Sequence, residues 1–124
     1  MILPVVAELH ARIGRQPELE EAFDRVRRGG SGVTLSGLTD PAKALVAALA
    51  VQSLLKPAIF LVETNERADA FCPLTQYFLR ALGKANAQVM VLPAHEVLPY
   101  DRQSPHAEIS EARGSALWLS LIHI

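Results

Sequence analysis

Cysteine, charge of one sign and long apolar runs are all scarce in this sequence. Its single cysteine, Cys72, excludes an internal disulfide and is typical of a reducing compartment. Twelve Lys and Arg against 13 Asp and Glu leave a net charge of −1, which gives no bulk attraction to a phosphate backbone. The most apolar stretch, 42–55, is interrupted by Lys43 and Gln52 and is too short to span a bilayer. We therefore expect a cytoplasmic protein with no membrane partner.

Histidine and cysteine are also too few and too scattered for a recognisable metal or catalytic site. The four histidines show no H-x-x-x-H spacing, and no cysteine pair exists, so we predict no metal site. His95 with Glu96, and His106 with Glu108, lie after the last predicted strand, where α/β ligand sites often occur, and acid–base duty is the alternative interpretation there. Cys72 falls on the apolar face of a predicted helix and is interpreted as a packing residue. We assign no catalytic residue.

Apolar residues at helical spacing indicate four helices. Residues 18–28 place apolar side chains at i, i+3, i+4 and i+7, and Gly29 stops that helix. Residues 41–55 are apolar nearly all round, which predicts a helix packed on several sides, with Pro41 in its first turn. The arginines at the end of the first helix are typical of a solvated helix terminus, although phosphate contact is the alternative.

The third and fourth helices carry their own start and stop signals. Thr64 or Asn65 can cap the third helix, Pro73 should kink or divide it, and Gly83 should close it. Ser104, followed by a proline, predicts the start of the fourth helix, which runs towards the only tryptophan.

Three short runs separate the helices and are predicted as strands: a β-branched run that closes on a glycine, 32–37, and two apolar runs, 58–62 and 88–92. The run 58–62 is continuously apolar, which favours a strand buried on both faces. Alternation of strand and helix predicts an α/β fold, a parallel sheet with crossover helices. Any ligand is then expected at the carboxyl ends of the strands.

The turn between the first strand and the second helix has the frame of a phosphate loop, G-x-x-x-x-G-K-[ST]. Only the first glycine and the lysine of that signature are present. The informative positions of this degenerate loop, 37–44, are Gly37, Thr39, Asp40, Pro41, Ala42, Lys43 and Ala44. An ordinary strand-to-helix turn with a solvated lysine is the alternative interpretation.

Four departures from the signature argue against nucleotide binding. Ala44 has no hydroxyl to hold Mg²⁺, and Ala42 places a Cβ where glycine allows close approach to phosphate. Pro41 removes a backbone N–H, and Asp40 adds negative charge beside the place of a triphosphate. We therefore predict a degenerate phosphate-loop fold that binds no cofactor and no metal.

Two segments resemble transcription-repair coupling factors. The segment 36–45 is similar to the opening of the first domain in that family, and 92–106 resembles a more specific family signature. The recognisable core of the signature is Leu-Pro-Tyr-Asp at 98–101 with Ser-Pro at 104–105. Arg113 and Trp118 also fall where the family has similar residues, so the resemblance covers 32–119.

The resemblance implies an incomplete domain, since the amino-terminal part of this family is similar to excinuclease B with a degenerate phosphate loop. Residues 1–31 would be a helical lead-in, and 32–119 the first part of the excinuclease B-like α/β domain. Residues 120–124 match nothing in the family and are expected to be an atypical truncated end. Excinuclease B itself needs an intact Gly-Lys-Thr loop, which Ala42-Lys43-Ala44 does not supply.

The resemblance also implies a function in transcription-coupled nucleotide excision repair. The amino-terminal module of the family is non-catalytic; it recruits excinuclease A and restrains the rest of the protein. A separate motor of the parent uses ATP and Mg²⁺, translocates on duplex DNA as a helicase-like hydrolase and displaces RNA polymerase. No partner contact is assigned within this chain. The alternative is a small nucleotide-binding α/β enzyme that uses Lys43 in a modified loop.

Overall fold

The structure, a computed structural model, describes residues 4–30, 32–95, 97, 100, 104 and 106–122. Its regular elements in this part of the chain are all α-helices. In chain order they are α1 (Pro4–Gly14), α2 (Pro17–Arg27), α3 (Asp40–Leu54), α4 (Asn65–Ala81) and α5 (Ala107–Ile122).

The core lies where α3 packs against α4; α1 contacts both of these helices, and α2 packs against α3. Helix α3 is apolar on several sides, as its sequence predicts, and supplies half of the buried apolar residues. Its contacts with α1 are close, because a Cβ added at Gly14 would lie 2.6 Å from Leu49 Cδ2. The residues of the core cluster are Phe23, Ala44, Leu45, Ala48, Leu49, Phe78 and Leu79.

The predicted helix signals are confirmed at several ends. Pro41 lies in the first turn of α3, where its missing N–H costs no helical hydrogen bond. Thr64 caps α4, since its Oγ1 accepts a hydrogen bond from the backbone N–H of Arg67 at 3.2 Å. Helix α4 is not divided at Pro73. Proline has no N–H to donate to the carbonyl of Asp69, four residues earlier, but both residues are exposed, so that carbonyl lies on the solvent side.

The predicted α/β fold is wrong: among the residues described, there is no strand and no sheet. The run 58–62 shows the error most directly, because it was expected to be buried on both faces. Ile59 and Leu61 are instead 91% and 94% exposed, while Phe60 and Val62, at 41% and 40%, turn partly inward. A continuous apolar run indicates burial, but it supplies no hydrogen-bonding partner for its own backbone.

The run 88–92 is held by side chains of α4 instead of a neighbouring strand. Gln76 Nε2 donates to the carbonyl oxygen of Ala87 at 2.8 Å, and Gln76 Oε1 accepts from the N–H of Val89 at 3.1 Å. The thiol of Cys72 donates to the Val89 carbonyl oxygen at 3.6 Å. These contacts satisfy backbone groups that a sheet would otherwise pair.

The chain beyond this run is fixed at two described points. Asn65 Oδ1 accepts from the N–H of Ala94 at 2.8 Å, and the Arg113 guanidinium of α5 donates to the carbonyl oxygen of Pro93. Much of the family-like signature lies outside the described residues. These positions are Glu96, Leu98, Pro99, Asp101, Arg102, Gln103 and Pro105.

Candidate functional site

The degenerate loop begins with a tight change of direction and ends inside α3. Gly37 has φ of +75°, a left-handed conformation that a side chain would strain. Thr39 is the N-cap of α3, and its carbonyl oxygen accepts the first helical bond, from the N–H of Lys43 at 2.8 Å. The Thr39 side chain makes no capping bond, so the first turn depends on its proline and on Asp40.

Asp40 joins two cations that belong to different helices. Its Oδ1 lies 3.2 Å from Lys43 Nζ on the same helix, and its Oδ2 lies 2.9 Å from Arg67 Nη1 in the first turn of α4. Arg67 Nε also contacts Glu63 Oε2 at 3.2 Å. Asp40, Lys43, Glu63 and Arg67 form what we call the ion cluster.

The cations of the ion cluster stabilise the charged form of Asp40. The hydrogen bond from Lys43 lowers the pKa of the Asp40 carboxyl below its usual range, and the charge of Arg67 lowers it further. Each side chain in the cluster is half-exposed or more, so each pair contributes little to folding stability. The main effect of the ion cluster is therefore to keep Asp40 ionised, and its contribution to folding stability is small.

Ala44 does not face the ion cluster. It is fully buried in the core that α3 forms with α2 and α4, in contact with the cluster of Phe23 and Leu45. In an active phosphate loop the corresponding hydroxyl reaches Mg²⁺. A hydroxyl at this position of the present structure would point into apolar side chains.

A cleft of about 470 Å³ opens beside the ion cluster, between the amino-terminal halves of α3 and α4. Its lining combines the charged residues of the ion cluster with apolar side chains, among them Phe71 and Leu74. An adjoining cavity of about 300 Å³ is mainly apolar and also borders Lys43. The cleft has room for a small anion.

Arg67 and Glu63 were not predicted as part of this site. Arg67 is 24 positions beyond Lys43, and no local motif connects them. The packing of α3 against α4 brings the two residues together, and that packing was not predicted residue by residue. The nearest indication in the sequence was the predicted cap of helix α4 at Thr64 or Asn65, which lies between Glu63 and Arg67.

The other singled-out residues stand apart from the ion cluster. Cys72 is half-buried, and burial, followed by the charge of Asp69, raises the pKa of its thiol, which does not suit a nucleophile. His95 is exposed in an irregular segment. Within the described ranges no three His, Cys, Asp or Glu residues gather as a metal site.

No helix in the described part of the chain combines the length and the apolar content that a bilayer crossing requires.

Comparison with known proteins confirms the resemblance found in the sequence. The chain is 37% identical over 114 residues to the transcription-repair-coupling factor of Myxococcus xanthus. The matching region covers 89% of this chain but spans only 9% of that relative. The chain is thus similar to a short region of a much larger factor. No protein-family model and no solved structure matches it.

Proposed function

We propose that this chain, similar over most of its length to a short region of a transcription-repair-coupling factor, is a non-catalytic module of such a factor. It would act in transcription-coupled nucleotide excision repair. The module helps to recruit excinuclease A and restrains a DNA-translocating motor elsewhere in the parent. ATP and Mg²⁺ serve that motor, and RNA polymerase and duplex DNA are partners of the parent.

The observation that carries the non-catalytic part of the proposal is the burial of Ala44. A phosphate loop needs a hydroxyl that reaches the metal, and this position is enclosed in the core. Lys43, the signature residue beside it, already contacts the Asp40 carboxylate at 3.2 Å, a negative charge that disfavours an incoming phosphate. Both features support a module that performs no phosphoryl transfer.

Nucleotide binding through Lys43 is the second candidate function, favoured only by the open cleft at that residue. Titration of the chain with a fluorescent ATP analogue and Mg²⁺ separates the two functions. We expect no saturable binding in the micromolar range. Lys56→Ala is the matched control, because Lys56 is an exposed lysine just beyond the opposite end of α3. Micromolar binding that Lys43→Ala abolishes and Lys56→Ala preserves would favour the nucleotide-binding function.

Recruitment and restraint are tested in the Myxococcus xanthus relative. One variant of that factor lacks the matched region, and a second carries this chain in its place. We expect the replacement, and not the deletion, to bind excinuclease A and to keep ATP hydrolysis low without DNA. A replacement that behaves like the deletion in both assays would refute the proposed module.

A further inference from the structure

The Asp40 carboxylate is an oxyanion that already occupies both cations of the ion cluster. One oxygen faces Lys43 Nζ at 3.2 Å, and the other faces Arg67 Nη1 at 2.9 Å. The two cations come from the first turns of α3 and α4, and the dipole of each helix favours negative charge at its amino-terminal end. The structure therefore shows one anion bound at the meeting point of two helices.

We propose that Asp40 is a built-in counter-anion, and that it keeps phosphate-class oxyanions away from Lys43 and Arg67. In this account the charge of Asp40 is a specificity determinant separate from the missing hydroxyl at position 44. Asp40→Asn creates a weak oxyanion site in the cleft between the helices. The inference does not depend on which larger protein the chain serves.

The charge balance of the ion cluster supports this assignment. Two carboxylates face two cations, so the intact cluster is neutral and offers an incoming anion no net attraction. Asp40→Asn leaves one net positive charge. Glu63 still orients Arg67 through Nε, while the remaining guanidinium N–H groups become available in a geometry that suits phosphate.

The cleft provides the space that the anion requires. It measures about 470 Å³, lies against Asp40, Lys43 and Arg67, and opens to solvent, since these side chains are about half-exposed. An anion there would replace the carboxylate without entering the apolar core.

The test is a titration with inorganic pyrophosphate at low ionic strength, followed by isothermal calorimetry and phosphorus NMR. We expect Asp40→Asn to bind pyrophosphate at least tenfold more tightly than the unmodified chain. Adding Lys43→Ala to Asp40→Asn should abolish that gain. Circular dichroism and the unfolding midpoint establish that each variant is folded, and Asp40→Ser replaces Asp40→Asn if the asparagine variant is not.

Asp24→Asn is a stringent charge control, because Asp24 also contacts two cations, Arg27 and Arg28, and its loss leaves two positive charges there, against one in the ion cluster. That group lies at the carboxyl-terminal end of α2, where the dipole disfavours anions. The control changes the net charge equally and should gain no binding. Equal gains in both variants, no gain in either Asp40 variant, or equally tight binding by the unmodified chain would each overturn the inference. The proposed repair function would be unaffected by these outcomes.

Discussion

Restoring the missing hydroxyl with Ala44→Thr should destabilise the protein without restoring a metal site. Ala44 is fully buried against the α2 and α4 side of the core, so a larger side chain must displace packed neighbours. Overpacking of this kind costs about 1–3 kcal/mol. The new hydroxyl can donate to the carbonyl four residues earlier, as Thr75 does to Phe71 at 3.0 Å, so steric cost dominates over the cost of burying a polar group.

Urea unfolding followed by circular dichroism measures this cost. Ala112→Thr, on an exposed position of α5, is the control for the poorer helix propensity of threonine, which accounts for about 0.7 kcal/mol or less. We expect Ala44→Thr to lose about 1–3 kcal/mol more than this control. Ala44→Ser adds one atom fewer and should fall between the two.

Nucleotide binding provides the second readout. The pair Ala42→Gly and Ala44→Ser restores the signature in sequence, yet the hydroxyl remains enclosed in the core. We expect this double variant to show no Mg²⁺-dependent binding of the ATP analogue. Metal-dependent binding, or an Ala44→Thr stability equal to that of the Ala112→Thr control, would refute the argument that burial at position 44 removed the metal site.

Three further predictions concern groups outside that argument. Gln76→Ala removes both side-chain bonds to the backbone of the run 88–92 and its flank, so it should cost about 1–3 kcal/mol and speed amide hydrogen exchange at Val89. The pKa of the Asp40 carboxyl, lowered mainly by the Lys43 hydrogen bond, should be below 3.8 by NMR titration and should rise in Lys43→Ala. Because this folded-state pKa is depressed, the stability that it contributes is present above pH of about 4 and is lost as the pH falls through the folded value. The pKa of the Cys72 thiol is raised by burial, so at pH 8 it should react with a disulfide reagent more slowly than in the urea-unfolded chain.

The helices could be predicted from the sequence because local spacing and end signals determine them. The first predicted helix, 18–28, is observed as Pro17–Arg27, and the second, 41–55, as Asp40–Leu54. Helix α1 was predicted only as part of a helical lead-in, 1–31, without bounds of its own. It buries no residue completely, and its apolar spacing is less regular than that of α2.

The prediction of a sheet was wrong because it inferred strand pairing from apolar composition. Pairing depends on partners distant in the sequence, which no local pattern identifies. In the described structure Gln76 provides the partner for the backbone on both sides of position 88, and a glutamine on a helix gives no such signal in the sequence. Ile59 and Leu61 show the same limit of a local pattern, because they are apolar and were predicted to be buried in a sheet, yet both are exposed.

The candidate site combines both kinds of information. Asp40 and Lys43 are three positions apart on one helix, so their contact follows from the sequence once α3 is predicted. The contact of Asp40 with Arg67 depends on the packing of α3 against α4, and it changes the chemical interpretation. Considered with Lys43 alone, Asp40 is a negative charge that disfavours a bound phosphate. Considered with Arg67 as well, it is an anion held between two cations. Under the proposed function, the absence of nucleotide binding has two separable causes, a buried position without a hydroxyl and a resident carboxylate, and only the second is reversible by a single surface substitution.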